Sequence, residues 1–178
     1  MNRVLGIDPG SRVTGFGVVD FAPNQVRHVA SGQLKLTGET LAERLSEIFE
    51  GLSAVVAEFQ PGEVAVEQVF MHRNAASALK LGHARGVAIL SATRDSLPVH
   101  EYSPTEVKLA TTGRGRATKE QVQHMIKVLL SLDRLPATDT ADALAVAVCH
   151  SHMASTRQRV HAAMVAAEAD AKSAGSKR

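Results

Sequence analysis

Four carboxylates stand where a folding chain ordinarily avoids charge. Asp8 closes the apolar run VLGI (4–7), and Glu67 closes VAV (64–66). Asp139 and Asp142, in TDTADALAVAV, are three apart and share a face at the first turn of a helix. If the two runs are neighbouring strands, Asp8 and Glu67 end side by side. Four carboxylates gathered together repel one another and raise their pKa values, a cost that a divalent cation removes. A set of oxygen donors without His or Cys favours Mg²⁺, with Mn²⁺ as a substitute. Two such ions about 4 Å apart hold a scissile phosphate, ionise a water and stabilise the leaving oxygen. Each residue alone has a plainer explanation. Asp before Pro-Gly is a common turn starter, Glu67 could be the polar end of a strand, and Asp139 and Asp142 suit a helix N-terminus. Spacing by itself does not prove convergence.

The elements that must position these groups can be read from pattern. Residues 3–8 and 13–20 form an antiparallel hairpin around Pro9-Gly10-Ser11, and 25–36 adds a third strand. Gly6, Gly15 and Gly17 weaken strand propensity but allow a backbone or a ligand to come close. Thr40 and Glu43 have capping-box spacing, and Leu41, Leu45, Ile48, Leu52, Val55 and Val56 mark one face of the helix that follows. Pro61-Gly62 ends it. VAVE (64–67) is a short buried strand, followed by a loop over 68–74, a helix over about 75–95 and a strand near Val99–Tyr102. Thr118 and Gln121 propose a second capping box, for a helix to about Leu132, and a final helix begins near Thr138. Three strands, a helix, then alternating strands and helices indicate an α/β chain with a mixed sheet.

The chain has 178 residues, 44% hydrophobic and only 3% aromatic, enough for one domain whose core is aliphatic. Its single cysteine, Cys149, excludes an intramolecular disulfide and fits a reducing compartment. A strand starting at residue 3 leaves no room for a signal peptide, and no apolar run approaches the ~20 residues of a membrane span. A cytoplasmic protein is expected. The net charge of +2 conceals segregation: residues 1–71 and 128–150 are acidic, whereas 72–127 and 151–178 are basic. A basic middle between acidic segments is a footprint for a polyanion bound across a metal site, although ordinary solvated surface would give similar counts. Residues 153–178 turn Ala-rich and then Ser/Gly/Lys-rich, which predicts a basic tail whose helix frays to disorder.

The blocks GIDPGSRVTGFGVVD, AVEQVFMHRNAASALKLGHARGVAIL, QVQHMIKVLL and DTADALAVAV closely resemble the RuvC family of Holliday-junction resolvases. The similarity runs in order from residue 3 to about 152. It implies a ribonuclease H-like fold over residues 1–152, a five-stranded mixed sheet flanked by helices. It also implies a Mg²⁺-dependent endonuclease, acting as a homodimer on four-way junction DNA. Members nick two strands of like polarity and leave ligatable 5'-phosphate and 3'-hydroxyl ends. The family's metal-binding and catalytic acids fall on Asp8, Glu67, Asp139 and Asp142, none of them substituted; some relatives carry His at the position of Asp139. The resemblance alone implies the RuvA and RuvB branch-migration helicase complex as a partner. In the family the long helix after the Glu67 loop forms much of the dimer interface, and Ala78, Gly82 and Gly86 there are spaced for close helix approach.

Phe70 and Met71 follow Glu67 in the loop EQVFMHRN, and the resemblance places Phe70 to stack on a base near the crossover, a contact worth ~1–3 kcal/mol. The alternative is that Phe70 folds into the core. Arg73 and Asn74 on the same loop are candidates for sugar-phosphate or base contacts. Lys108 and Lys119 match basic positions important in the family, near its active site. Arg114 and Arg116, in TTGRGRATKE, lie on a Gly-rich loop suited to following a phosphate backbone. His150 and His152 form an HxH pair with no partner acid or cysteine in view, so zinc is not expected there. His124 is a candidate for proton transfer that nothing in the sequence establishes, and Cys149 is read as a small core residue. An actin-like phosphate loop is set aside because 178 residues are too few for its two domains. A related ribonuclease H-like nuclease acting on RNA is opposed by the blocks around Glu67 and Asp142, and a junction-binding protein without catalysis by the presence of all four acids.

Overall fold

The structure, a computed structural model, describes residues 1–68, 75–94 and 96–175, and of the side chains beyond Arg157 only that of Met164. Its strands are β1 (Asn2–Asp8), β2 (Val13–Ala22), β3 (Gln25–Lys35), β4 (Glu63–Glu67) and β5 (Val99–Tyr102). Its helices are α1 (Leu41–Phe59), α2 (Ala75–Thr93), α3 (Pro104–Thr112), α4 (Lys119–Leu129) and α5 (Thr138–Gly175). The sheet order is β3-β2-β1-β4-β5; the first three strands are antiparallel, and β1, β4 and β5 run parallel. This is the mixed five-stranded sheet expected from the pattern.

Period-two alternation divides the strands between two cores. Leu5, Ile7, Val18, Val64 and Val66 face α1 and α2, joining Ile48, Leu52, Ala84 and Ala88. Val4, Val19, Phe21, Ala65 and Tyr102 face the other way, onto α3, α4 and the start of α5, where Leu144, Val146 and Val148 are buried. The same parity carries Asp8 and Glu67 onto the α5 side, because Asp8 lies four residues after Val4 and Glu67 two after Ala65.

Both predicted capping boxes form. Thr40 Oγ1 accepts from Glu43 N while Glu43 reaches back to Thr40 N, and Thr118 and Gln121 do the same for α4. Helix α3 is missing from the sequence-based expectation, although its start is marked by a third box, Ser103 with Glu106, and by Pro104 at the first helical position. It ends at Gly113, whose φ of 71° suits glycine.

The strand glycines serve a backbone approach. A Cβ at Gly6 would overlap the Ala143 carbonyl oxygen, and one at Gly15 would overlap the Asp139 carbonyl oxygen. A Cβ at Gly17 would come within 2.6 Å of Leu144 Cδ2. Helix α5 therefore lies directly on β1 and β2, with its first turn lowered onto Gly15.

Candidate active site

Strand register fixes the first two acids. Val4 to Ile7 pair in parallel with Glu63 to Val66, so one position further on each strand sets Asp8 beside Glu67. Across the sheet Asp8 is opposite Gly15, which leaves room for the first turn of α5 and hence for Asp139 and Asp142. The four acids converge. Asp8 is raised from the ordinary carboxylate range to about 8, first by burial and then by the charges of Asp142, Glu67 and Asp139. Glu67 is raised as well, by burial and then by Asp142, with Lys119 and Lys108 opposing.

Lys119, the first residue of α4, places Nζ 3.0 Å from Asp142 Oδ2. Lys108 on α3 joins Lys119, Glu67 and Asp142 around a cavity of about 160 Å³. Arg114 and Arg116 are exposed on the segment linking α3 to α4, so they stand between the two lysine-bearing helices without an ion pair to the acids among the described contacts. His124 lines a different cavity, of about 440 Å³, with Arg114. Phe70, Met71, Arg73 and Asn74 lie outside the described residues.

Two supporting residues went unnoticed in the sequence. Gln33 on β3 is opposite Gly15, and its Nε2 donates to Asp139 Oδ2 at 2.8 Å across the space that Gly15 leaves. Arg85 on α2 donates from Nε to the Glu67 carbonyl at 3.3 Å and pairs with Glu101 at 2.6 Å, which steadies the end of β4. No local motif marks either one, since both act through tertiary register.

Every donor in the cluster is a carboxylate oxygen, and Asp8 is driven towards its neutral form unless positive charge is supplied. The site therefore fits a hard divalent cation.

The family model for crossover junction endodeoxyribonuclease RuvC matches residues 4–150. A protein of that description from Hahella chejuensis is 55% identical over 160 residues, covering 90% of this chain and 93% of its own. Another, from Shewanella sp. strain ANA-3, is 54% identical over 152 residues, 85% and 88% of the two chains. Among solved structures, T. thermophilus RuvC in complex with Holliday junction substrate superposes with a TM-score of 0.82 at 35% identity, covering 88% of this chain and 96% of that one. The yeast mitochondrial Holliday junction resolvase shares the fold, with a TM-score of 0.60 at 14% identity. The five-stranded mixed sheet with its flanking helices is thus the ribonuclease H-like fold that the resemblance implied, and the chain belongs to the RuvC family of crossover junction endodeoxyribonucleases.

Proposed function

We propose that this protein is a structure-selective DNA endonuclease that resolves Holliday junctions by Mg²⁺-dependent, symmetric nicking of two strands of like polarity. The convergence of Asp8, Glu67, Asp139 and Asp142 at the joint end of β1, β4 and α5 carries this reading. These four acids would hold two Mg²⁺ ions, which when bound supply the Lewis acidity that ionises water and stabilises the leaving oxygen. Attack of water oxygen on phosphorus and rupture of the P–O3' bond leave a 5'-phosphate and a 3'-hydroxyl, ends that a ligase can seal.

The chain's own contribution is position and charge. Asp8 and Glu67 sit at the ends of paired strands, and Gln33 donates a hydrogen bond to the carboxylate of Asp139. Lys119 neutralises Asp142 before substrate arrives; with Lys108 it then faces the non-bridging phosphate oxygens. Arg114 and Arg116 extend this basic surface along the flanking backbone, and Phe70, Met71, Arg73 and Asn74 follow Glu67 closely in sequence.

Symmetric nicks need two sites, and α2 offers a surface for a second copy. Ala84, Ala88, Ser91 and Ala92 are its buried face, whereas Leu79 and Leu90 are exposed and a Cβ at Gly82 or Gly86 would meet nothing within 4 Å. Gly82→Arg should convert a dimer to a monomer in light scattering, and an unchanged mass would remove α2 from the interface. Cleavage of chromosomal junctions belongs in the cytoplasm of a bacterium, beside the RuvA and RuvB branch-migration complex.

The test compares a synthetic mobile four-way junction with a matched linear duplex, in Mg²⁺ and in chelator. Paired, ligatable nicks confined to the junction and lost in chelator are expected, as is loss of cleavage with retained binding in Asp8→Asn. Tight binding with no cleavage by the unaltered protein would leave a junction-binding protein without catalysis.

A further inference from the structure

At the other end of β4 the same sheet face carries a second cluster that the nuclease does not use. Glu63, the first residue of β4, stands four residues, about 13 Å, from Glu67 along the strand. Its Oε2 is 2.8 Å from His100 Nε2 on β5 and 3.2 Å from His150 Nε2 on α5. The three potential donor atoms all lie within 4.8 Å of one another. His150, expected from sequence to lack partner acids, thus has one in space, while its HxH neighbour His152 is exposed.

The orientation of the imidazoles is informative. Both Nε2 atoms are buried and close to Glu63, yet neither is aligned for a well-formed hydrogen bond to it. The ring N–H directions therefore lie off the line to the carboxylate oxygen, which leaves the Nε2 lone pairs available to a ligand. Bonds of about 2.0–2.1 Å to a tetrahedral zinc ion set neighbouring donor atoms roughly 3.3 Å apart, close to the 3.2 Å between Glu63 Oε2 and His150 Nε2. On its other side His150 has Nδ1 2.9 Å from Tyr102 Oη. In the tautomer that donates this proton, Nε2 presents its lone pair to the cluster, which is the usual way an outer partner orients a metal-binding imidazole. Burial also holds the fully buried His150 below the ordinary imidazole range, in the neutral form that binds metal. Arg157 is the nearby cation, beside Tyr102 and His150, and is itself exposed.

The geometry points to a second metal site, in which Glu63, His100 and His150 bind one Zn²⁺ ion, with water completing the coordination. Two imidazoles and one carboxylate select a borderline cation such as zinc, in contrast to the hard-cation preference of the carboxylate cluster. Glu63 and His100 are each about 30% exposed, at 27% and 31% of the side chain, which provides an entry path. The ion would tie the start of β4 to β5 and α5, so its effect is on stability.

Competitive titration of the full-length protein with a chromophoric zinc chelator tests this. At least one zinc per chain is expected in the unaltered protein, and one should be retained in Asp8→Asn, which separates this site from the carboxylate cluster. His100→Ala and the near-isosteric Glu63→Gln should each weaken zinc binding by more than about tenfold. Zinc should raise the Tm of Asp8→Asn but not of Asp8→Asn combined with His100→Ala or with Glu63→Gln, whose zinc-free far-UV spectra report their folding. Equal zinc affinity in Glu63→Gln and the unaltered protein, or no zinc retained by Asp8→Asn, would overturn the site.

Discussion

Lys119 Nζ and Asp142 Oδ2, 3.0 Å apart, join the first turn of α4 to the first turn of α5 at the mouth of the carboxylate cluster. The lysine side chain is 68% exposed, so the pair contributes little to stability and leaves the ammonium accessible to a phosphate. Asp142, the Asp8 and Glu67 charges and the hydrogen bond itself keep Lys119 firmly protonated.

Lys119→Ala should therefore act on substrate. Single-turnover nicking is expected to slow by about 10²-fold, the scale of losing one charged donor from a transition state. The slope of log binding constant against log salt should fall by about one phosphate contact. A normal rate together with an unaltered slope would take Lys119 out of the site.

Gly15 is where the fold makes room for the chemistry. Gly15→Ala places a methyl group against the Asp139 carbonyl, so the first turn of α5 must lift away from β2 and carry both of its acids with it. A loss of about 1–3 kcal/mol in denaturant unfolding is expected, with a larger proportional loss of cleavage. Gly62→Ala is the control, because the nearest atom to its Cβ is the Arg3 carbonyl oxygen at 3.8 Å. If both variants unfold at the same denaturant concentration, the close approach at Gly15 does not matter.

Asp8 is raised to about 8 by burial and by three neighbouring carboxylates, so without metal its charge opposes folding. Asp8→Asn should then stabilise the metal-free protein at pH 8 by about 1–2 kcal/mol while removing cleavage. Between the unfolded value near 4 and the folded value near 8 the native state holds the extra proton. Metal-free stability should consequently decline as pH rises through that window, and the variant should show less of the decline. Thermal unfolding in chelator across this range measures both.

The sequence reveals whatever a few adjacent residues decide. Strand alternation placed β1, β2 and β4, and the Thr40 and Thr118 boxes placed two helix starts to the residue. Ser103 with Glu106 was an equal signal for α3 but lay in a stretch without clear apolar periodicity. The four acids were recognised from motif and resemblance, yet their meeting depends on the β1–β4 register and on glycines that admit α5. Gln33, Arg85 and the Glu63–His100–His150 cluster stayed hidden because their partners are distant in sequence and no local rule selects them.

The start of β1, at the opposite end of the strand from Asp8, is held by a charged pair. Arg3 on β1 grips Asp20 on β2 in a two-point pair, Nε to Oδ1 at 2.7 Å and Nη2 to Oδ2 at 3.0 Å, and donates from Nη1 to the Phe59 carbonyl at 2.8 Å. One side chain thus ties two strands to the end of α1. The hydrogen bond from Arg3 holds the Asp20 carboxyl below its ordinary range. Its stabilising effect is accordingly complete above the unfolded carboxylate value near 4 and is lost as pH falls through the lower folded value. Because the pair is partly exposed, Asp20→Asn should cost only about 0.5–1 kcal/mol at pH 7. The difference from the unaltered protein should be smaller in acid, below the unfolded carboxylate value, than at pH 7. Urea unfolding at the two pH values decides it, since a deficit that persists undiminished in acid would assign the effect to packing and not to the charge on Asp20.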